Sequence, residues 1–146
     1  MIVIDTNVLS ELAKPAAEPT VVAWANAQPT EDLYTTATTE AEMLFGLACV
    51  PAGRRQDSLR RAIETAFSVL LAGRVLSFDR PAARAYAELA VERRRQGRAA
   101  NGPDLQIAAI ARSRGASAIA TRNTRDFEGC GMPLINPWLV GTTPRG

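Results

Sequence analysis

The sequence predicts an α/β fold, a single three-layer α/β/α domain built around a central, mainly parallel sheet. Short apolar runs rich in β-branched residues alternate along the chain with stretches of helical periodicity, which is typical of a parallel sheet covered by helices on both faces. The opening run, MIVI, is apolar without interruption, as expected for a strand buried on both sides. A chain of 146 residues can form one domain with a sizeable core. We expect that domain over residues 1–140 and a flexible tail over residues 141–146.

Two strands and four helices are predicted in the first half of the chain. In order they are strand 1–4, helix 6–14, helix 18–29, strand 32–38, helix 38–50 and helix 54–73. Pro29 closes the second helix and Pro51 follows the third, because proline cannot continue a helix there. The fourth helix is long and amphipathic, since its apolar residues recur at spacings of four, four and three, at Leu59, Ile63, Phe67 and Leu70.

Three strands and two helices are predicted in the second half. In order they are strand 74–78, helix 81–98, helix 103–115, strand 117–121 and strand 133–136. Pro81 and Pro103 lie at the starts of their helices, where the missing N–H of proline removes no helical hydrogen bond. Gly115 lies just past the end of the second helix, the position that most often requires a left-handed backbone.

The composition excludes several kinds of chemistry. The chain contains no histidine, which is the usual base of catalytic triads and of metal-free ribonucleases and a ligand in most zinc enzymes. Cys49 and Cys130 form no C-x-x-C pair, so we expect reduced thiols that pack in the interior. No segment has the length and hydrophobicity of a membrane span or a signal peptide, so we expect a cytoplasmic protein. Any catalysis must therefore depend on carboxylates, arginines or a bound metal.

Three acidic residues stand apart from those on helix surfaces. Asp5 ends the first strand, and Glu42 lies in the first turn of the helix that follows the second strand. Asp104 lies in the first turn of a helix that has no strand immediately before it. Asn123 follows the strand over 117–121. Because strand-to-helix junctions of a parallel sheet lie on one edge, Asp5, Glu42 and Asn123 are predicted to face the same crevice.

Each acid also has a structural explanation. Asp5 can cap the helix that follows it by accepting a backbone N–H. Thr39 and Glu42 fit the T-x-x-E pattern of a capping box, in which Glu42 closes the start of its own helix. Asp104 follows Pro103 at a position where a negative charge complements the helix dipole. The residues alone leave these explanations open beside the functional one.

Convergence of the acids would favour a bound cation. Two carboxylates about 4 Å apart repel by roughly 4 kcal/mol at an effective dielectric near 20, and a cation relieves that repulsion. Oxygen ligands without histidine or cysteine select a hard divalent ion, Mg²⁺ or Mn²⁺. Such an ion acidifies a bound water and stabilises charge on phosphoryl oxygens, which are the two requirements of phosphodiester hydrolysis.

The basic residues fit a polyanionic substrate. The net charge is only +2, but Lys14 is the only lysine among 17 basic residues, and arginine binds phosphate in a bidentate manner. Two clusters could contact backbone phosphates, and their members are Arg54, Arg55, Arg60 and Arg61 in one and Arg93, Arg94, Arg95 and Arg98 in the other. Solvated helix faces and helix ends complemented by cations explain the same clusters.

Four segments together resemble a known family. They read IDTNVLSEL, TTEAEMLFGL, PDLQIAAIARSRG and ATRNTRDFEGCGMPLINPW, and they span nearly the whole chain in order. The set resembles PIN-domain proteins, more narrowly the VapC-type toxins of toxin–antitoxin pairs, including the FitB-like branch. The resemblance implies a PIN-like nuclease domain over residues 1–140, an acidic Mg²⁺ or Mn²⁺ site and single-strand-selective endoribonuclease activity. It also implies homodimers and a small antitoxin that wraps the enzyme and binds promoter DNA.

The resemblance assigns roles to the acids. Asp5 matches the family's first acid and metal ligand, Glu42 its second acid, and Asp104 its third acid and metal ligand. On this basis Asp5 and Asp104 hold the metal, and Glu42 ligates it or a second ion, or positions water.

The remaining motif positions support these acids. Thr6 and Asn7 complete the family's DTN signature, in which small polar side chains fix the first carboxylate or bind a metal-held water. The fourth family position, often an acid, falls on Asn123, whose amide can ligate through oxygen but carries no charge. Asp126 is a nearby substitute, although its place before Phe127 favours a structural role in a turn.

The predicted function is therefore a metal-dependent endoribonuclease that acts as the toxin of a toxin–antitoxin pair. The expected partners are an RNA substrate, an antitoxin, a second copy of the chain, and DNA only through the antitoxin. The missing charge at Asn123 motivates an alternative. In that reading the chain is a catalytically weak dimerising subunit of a DNA-bound antitoxin–repressor complex.

Overall fold

The fold is built on one parallel sheet. A computed structural model describes residues 1–141, so the tail predicted over 141–146 lies outside the described residues from position 142 onward. The sheet has five strands in the order β3-β2-β1-β4-β5, with every neighbouring pair parallel. The strands are β1 Ile2–Ile4, β2 Leu33–Thr36, β3 Val75–Leu76, β4 Ala118–Ala120 and β5 Leu134–Ile135.

The first strand occupies the centre of the sheet. Ile2 pairs with Leu33 of β2 on one side and with Ala118 of β4 on the other. Val3 and Ile4 are fully buried, which explains the uninterrupted apolar run at the start of the chain. The carboxyl end of β1 therefore lies between two other strand ends.

Helices cover both faces of the sheet, as the sequence predicts. The helices are α1 Thr6–Leu12, α2 Pro19–Asn26, α3 Ala37–Ala48, α4 Arg54–Thr65, α5 Arg80–Arg95, α6 Pro103–Ser113 and α7 Thr124–Phe127. One hydrophobic cluster joins the sheet to α5 and α6, with Leu89 and Ile107 at its centre. A second cluster joins the other face to α1, α2, α3 and α4, and it includes Val8 and Trp24. The three-layer α/β/α prediction is thus confirmed.

Several predicted boundaries are wrong. The strand predicted over 32–38 ends at Thr36, because Thr36 is already the N-cap of α3. The single helix predicted over 54–73 leaves α-helical geometry after Thr65 and continues as a π-helical turn over Ala66–Leu70. Ala72 then adopts a φ of +46°, which turns the chain towards β3. The four-residue helix α7 was not predicted.

Two further features bear on the sequence predictions. In the structure over residues 1–141, no helix has the length and apolarity that a membrane crossing requires. Cys130 is buried and Cys49 exposed, and both are free thiols, so the expectation of interior packing is correct for Cys130 only.

The central strands should carry a large share of the stability. Ile119 of β4 is fully buried, so Ile119→Ala removes packed methylene groups and leaves a cavity. We expect the free energy of unfolding in urea to fall by about 2–5 kcal/mol. Val91 on α5 is 48% exposed, and Val91→Ala should change it by less than about 0.5 kcal/mol. Equal effects of the two substitutions would contradict this placement of the core.

Candidate active site

Asp5 is a buried carboxylate at the carboxyl end of β1. Its side chain is only 4% exposed. It accepts hydrogen bonds from the Thr6 backbone N–H at 2.7 Å, the Thr121 hydroxyl at 2.7 Å and the Asn7 side-chain amide at 3.2 Å. The backbone N–H of Asp5 donates to the carbonyl of Ala120 at 2.9 Å, which fixes the strand end beside β4. The carboxylate is therefore held in one place by groups from two strand ends.

The capping explanation for Asp5 is correct but incomplete. Asp5 is the N-cap of α1, and the Thr6 N–H is the bond that serves the cap. The Thr121 hydroxyl comes from a residue 116 positions away, just beyond β4. A cap requires no donor from a distant strand. The extra donors orient the carboxylate as well as ending the helix.

Glu42 reaches the same edge of the sheet from α3. Since α3 begins at Ala37, Glu42 lies in its second turn and not in the first turn as predicted. The capping box predicted at Thr39 and Glu42 is also wrong, because Thr36 caps the helix by accepting the Thr39 N–H at 3.1 Å. Glu42 Oε1 instead accepts a hydrogen bond from the Thr6 hydroxyl at 2.8 Å. Thr6 thus connects the second acid to the residue next to the first.

Asp104 belongs to this group through the start of α6. It directly follows Pro103, the first residue of the helix, as the sequence predicts. Its pKa is raised, first by burial and then by the charges of Asp5 and Asp126, while the Arg93 guanidinium acts in the opposite direction. A carboxylate that served only to complement the helix dipole would have a lowered pKa. Neighbouring carboxylates and desolvation therefore dominate at this position.

The pKa of Asp5 is also raised. Burial is the largest cause, and the charges of Glu42 and Asp126 add to it. The hydrogen bonds from Thr121 and from the Thr6 backbone partly offset these effects by stabilising the ionised form. Glu42, Asp104 and Asp126 thus each interact electrostatically with Asp5, which makes it the centre of the acidic group.

Asp126 is closer to the acidic group than the sequence suggested. It lines a cavity of about 370 Å³ together with Asp104, and its charge raises the pKa of both Asp5 and Asp104. Asn123 is exposed at the N-cap of α7, and its backbone N–H donates to the Thr121 hydroxyl at 3.0 Å. Asp126 lies in the first turn of α7, where the sequence favoured a structural role, and its charge also acts at the site.

Asn7 connects the two strand ends that frame the site. Its side-chain nitrogen donates to Asp5 and lies 3.4 Å from the hydroxyl of Thr121. Its side-chain oxygen accepts the backbone N–H of Arg122 at 3.1 Å. A small amide with one donor end and one acceptor end suits this bridge.

The donor set fits a hard divalent cation by its chemistry. The converging groups are carboxylates, and burial and mutual repulsion both disfavour their ionised forms, so a cation bound among them would be stabilised. Within residues 1–141, no three acidic or cysteine side chains form a preassembled ligand set. The fit therefore rests on donor chemistry and electrostatics, not on a ready-made coordination geometry.

The arginine clusters divide into engaged and exposed groups. Arg93 is only 9% exposed, and its guanidinium donates to the backbone carbonyl of Asp126. Arg98 donates to the carbonyls of Arg125 and Glu128 at 2.7 and 2.6 Å. These two side chains are therefore already bonded to backbone carbonyls, and contact of this cluster with phosphates stays a prediction. The other members are exposed: Arg54, Arg55, Arg60, Arg61, Arg94 and Arg95.

Comparison with known proteins matches this architecture to a described family. Residues 2–129 match the family model of the PIN domain. VapC ribonuclease Y4jK of Sinorhizobium fredii is 46% identical over 94% of this chain and 98% of that protein. Toxin FitB of Neisseria gonorrhoeae is 36% identical over 94% of this chain and 99% of that protein. The structure of FitAB bound to an IR36 DNA fragment superposes with a TM-score of 0.84 at 37% identity, covering 94% of this chain and 96% of that chain.

The raised pKa of Asp104 predicts how stability depends on pH. The folded state binds the Asp104 proton more tightly than the unfolded state, so protonation of Asp104 contributes to the free energy of unfolding. That contribution is full below about pH 4 and is lost as the pH rises through the folded-state pKa. Asp104→Asn imitates the neutral form. In metal-free protein at pH 7 we expect it to raise the melting temperature by at most about 2–4 °C, with the gain shrinking towards pH 4.

The control is Asp57→Asn, which removes an exposed acid on α4 that forms an ion pair with Arg60 at 3.4 Å. This variant should not show the gain at pH 7. A lower melting temperature for Asp104→Asn at pH 7 would mean that the carboxylate stabilises the metal-free fold, which would contradict the repulsive site.

Proposed function

The chain belongs to the PIN domain family, and from this we propose that it is a Mg²⁺- or Mn²⁺-dependent endoribonuclease and the toxin of a toxin–antitoxin pair. A relative named a VapC ribonuclease and a relative named toxin FitB align with it over nearly their full lengths. These names support hydrolysis of RNA phosphodiester bonds and a toxic role for this chain. We place the protein in the cytoplasm, where such a toxin would meet its RNA substrate.

One observation carries the proposal. The buried carboxylate of Asp5 lies within the electrostatic influence of Glu42 and Asp126, and Asp5 and Asp126 in turn act on Asp104. Repulsion between the buried carboxylate of Asp5 and its less buried acidic neighbours destabilises the fold, and a divalent cation offsets it. An arrangement that is unfavourable for folding and favourable for binding a hard cation is typical of a functional site.

The proposed ligands are Asp5 and Asp104, with Glu42 either ligating a cation or positioning the attacking water. A divalent cation bound there would supply an acidified water and would stabilise charge on the phosphoryl oxygens. Thr6 and Asn7 are supporting residues: Thr6 holds Glu42 at 2.8 Å, and Asn7 holds Asp5 at 3.2 Å. These contacts orient the carboxylates before substrate binds, which is the contribution that the protein itself makes.

The fourth site residue is proposed to be Asp126, with Asn123 in an assisting role. Both residues are exposed, but Asp126 lines the cavity with Asp104 and contributes a negative charge to it, whereas Asn123 is uncharged. An additional charge favours a second cation, because affinity for divalent ions rises with the number of anionic ligands.

The proposed protein partners are a small antitoxin and a second copy of the chain. The FitAB structure contains a homologue in an assembly bound to DNA, which supports an antitoxin partner. Contact with DNA only through that antitoxin is part of the proposal. The exposed arginines on α4 and α5 remain candidates for contact with the phosphates of RNA.

The second candidate function is the catalytically weak dimerising subunit of a DNA-bound antitoxin–repressor complex. Two observations favour it: the described residues hold no preassembled metal ligand set, and a homologous chain belongs to an assembly bound to DNA. In this reading the acids are a remnant, and cation binding has no consequence for RNA.

Loss of either proposed ligand should abolish cleavage. With Mn²⁺ and single-stranded RNA, we expect Asp5→Asn and Asp104→Asn to lower kcat/KM by at least about 100-fold, because the charge that binds the cation is lost. The measurement is cleavage of a fluorescent RNA by protein freed of antitoxin.

The matched control for cleavage is Asp57→Asn, which removes an acid outside the site and should cleave like the parent. Activity of Asp5→Asn equal to that of the parent at saturating cation would refute the assignment of the site. Absence of cleavage by the parent itself would favour the repressor subunit.

Cation binding can be measured without RNA. A cation at 100 times its Kd stabilises the folded state by about 2.7 kcal/mol, which corresponds to a rise in melting temperature of about 5–10 °C for a chain of this size. We expect Mn²⁺ to produce such a rise in the parent and in Asp57→Asn but not in Asp5→Asn. An equal rise in all three proteins would place the cation elsewhere.

A further inference from the structure

We infer that Arg93 and Arg98 are positioning residues whose guanidinium groups clamp α7 to the end of α5 and thereby hold Asp126 at the acidic site. The inference rests on the proposed function in one respect, the role of Asp126 as a site carboxylate. It assigns to two members of the arginine cluster a task other than contact with RNA.

Helix α7 cannot hold its own shape. It has only four residues, Thr124–Phe127, and its N-cap residue Asn123 makes no side-chain capping hydrogen bond. Isolated helices shorter than about 12 residues are marginal in water, and the last carbonyls of any helix have no partner within it. Both the position and the conformation of Asp126 must therefore come from tertiary contacts.

The two arginines supply partners for these carbonyls. Arg93 donates to the carbonyl of Asp126, and Arg98 donates through Nη2 to Arg125 at 2.7 Å and through Nη1 to Glu128 at 2.6 Å. Hydrogen bonds from a charged donor are among the stronger ones in proteins, and a cation at a helix C-terminus also complements the helix dipole.

The end of α5 places the two arginines side by side. The N–H of Arg98 donates to the carbonyl of Arg93 at 2.9 Å, and the N–H of Gly97 donates to that of Arg94 at 3.1 Å. With Gly97 at a φ of +69°, this is the Schellman pattern, which brings the residue after the glycine next to the residue in the last turn. In most proteins that contact is apolar, whereas here two guanidinium groups extend from it to α7.

A buried anchor completes the clamp on the other side. Phe127 is fully buried in the cluster that α5 and α6 form on the sheet. With Phe127 fixed in the core and the carbonyls on either side of it bound by arginine, the backbone around Asp126 has little freedom. Its side chain, together with Asp104, then lines the cavity of about 370 Å³.

Contact with RNA is the competing role for these arginines, and their hydrogen bonds argue against it. Arg93 is 9% exposed and lines the cavity beside Asp104, but its Nη2 already donates to the carbonyl of Asp126, and a phosphate would compete with that carbonyl for it. Both terminal nitrogens of Arg98 are likewise engaged. A phosphate ligand would affect KM, whereas a positioning residue affects kcat through Asp126.

The test is a double-mutant cycle in Mn²⁺-dependent RNA cleavage. The cycle uses Arg98, because the charge of Arg93 also acts directly on Asp104. We expect Arg98→Gln and Asp126→Asn each to lower kcat by roughly 10- to 100-fold with little change in KM, because small displacements at a site cost about that much. The double variant should be no slower than Asp126→Asn within about twofold, since the arginine acts through that carboxylate. Arg98→Lys keeps the charge and a donor but loses the planar fork that reaches two carbonyls, and it should restore part of kcat.

Arg84→Gln is the matched control, because Arg84 is an exposed arginine on α5, away from α7 in the chain, and should behave like the parent. A double variant slowed by the product of the two single effects would overturn the inference. A change confined to KM would assign the arginines to RNA instead.

A readout independent of activity guards against misfolded variants and against failure of the proposed function. Hydrogen exchange of the amides over residues 124–130 should accelerate in Arg98→Gln, which removes two of the three clamp bonds from a partly exposed side chain. Exchange in the central strands should not change. If α7 retains its protection in Arg98→Gln, there is no clamp, whether or not the parent cleaves RNA.

Discussion

The structure of the site depends on one buried negative charge, that of Asp5. Removing a carboxylate from water is costly, and here the cost is only partly offset by three hydrogen-bond donors, from Thr6, Asn7 and Thr121. Burial first, and then repulsion from neighbouring acids, keeps the pKa of Asp5 raised. The hydrogen bonds that Asp5 accepts at this edge of the sheet hold that charge in place.

The parallel sheet explains why these donors are available. Because β1 is central, the ends of β2 and β4 lie on either side of its own end. Thr121 directly follows β4 and donates to Asp5, and β2 leads into α3, which carries Glu42. Asp104 is positioned differently, because it lies on α6 and not directly after a strand. Helix α6 packs against α5, and it contacts α3 where the Thr38 hydroxyl donates to the side chain of Gln106 at 3.2 Å. The acidic site therefore depends on helix packing as much as on the order of the strands.

Sequence patterns predicted the parts of the molecule that are governed by local or periodic physics. The buried strands, the two helices predicted from Pro81 and Pro103, and the acids at strand ends follow from hydrophobic runs, from proline at helix starts and from the geometry of parallel sheets. The π-helical turn over Ala66–Leu70 and the short helix α7 did not, because neither is stabilised by its own sequence. The capping box at Thr39 matched a pattern, but Thr36 forms the same kind of cap three residues earlier. The sequence did not separate the engaged arginines from the exposed ones, because burial of a guanidinium depends on tertiary contacts that the residue type alone does not reveal.

Asp104 and Asp5 differ in the charges that surround them, and this difference indicates at which of the two carboxylates an external cation has the larger effect. Arg93 opposes the negative charges acting on Asp104, so that carboxylate has a cation of the protein's own nearby. The charges that raise the pKa of Asp5 are those of Glu42 and Asp126, and its compensation comes from neutral donors. Neutral donors orient a carboxylate without cancelling its charge, so they leave Asp5 free to attract an ion. An arginine in their place would have stabilised the fold further and would have competed with the ion for the same oxygens.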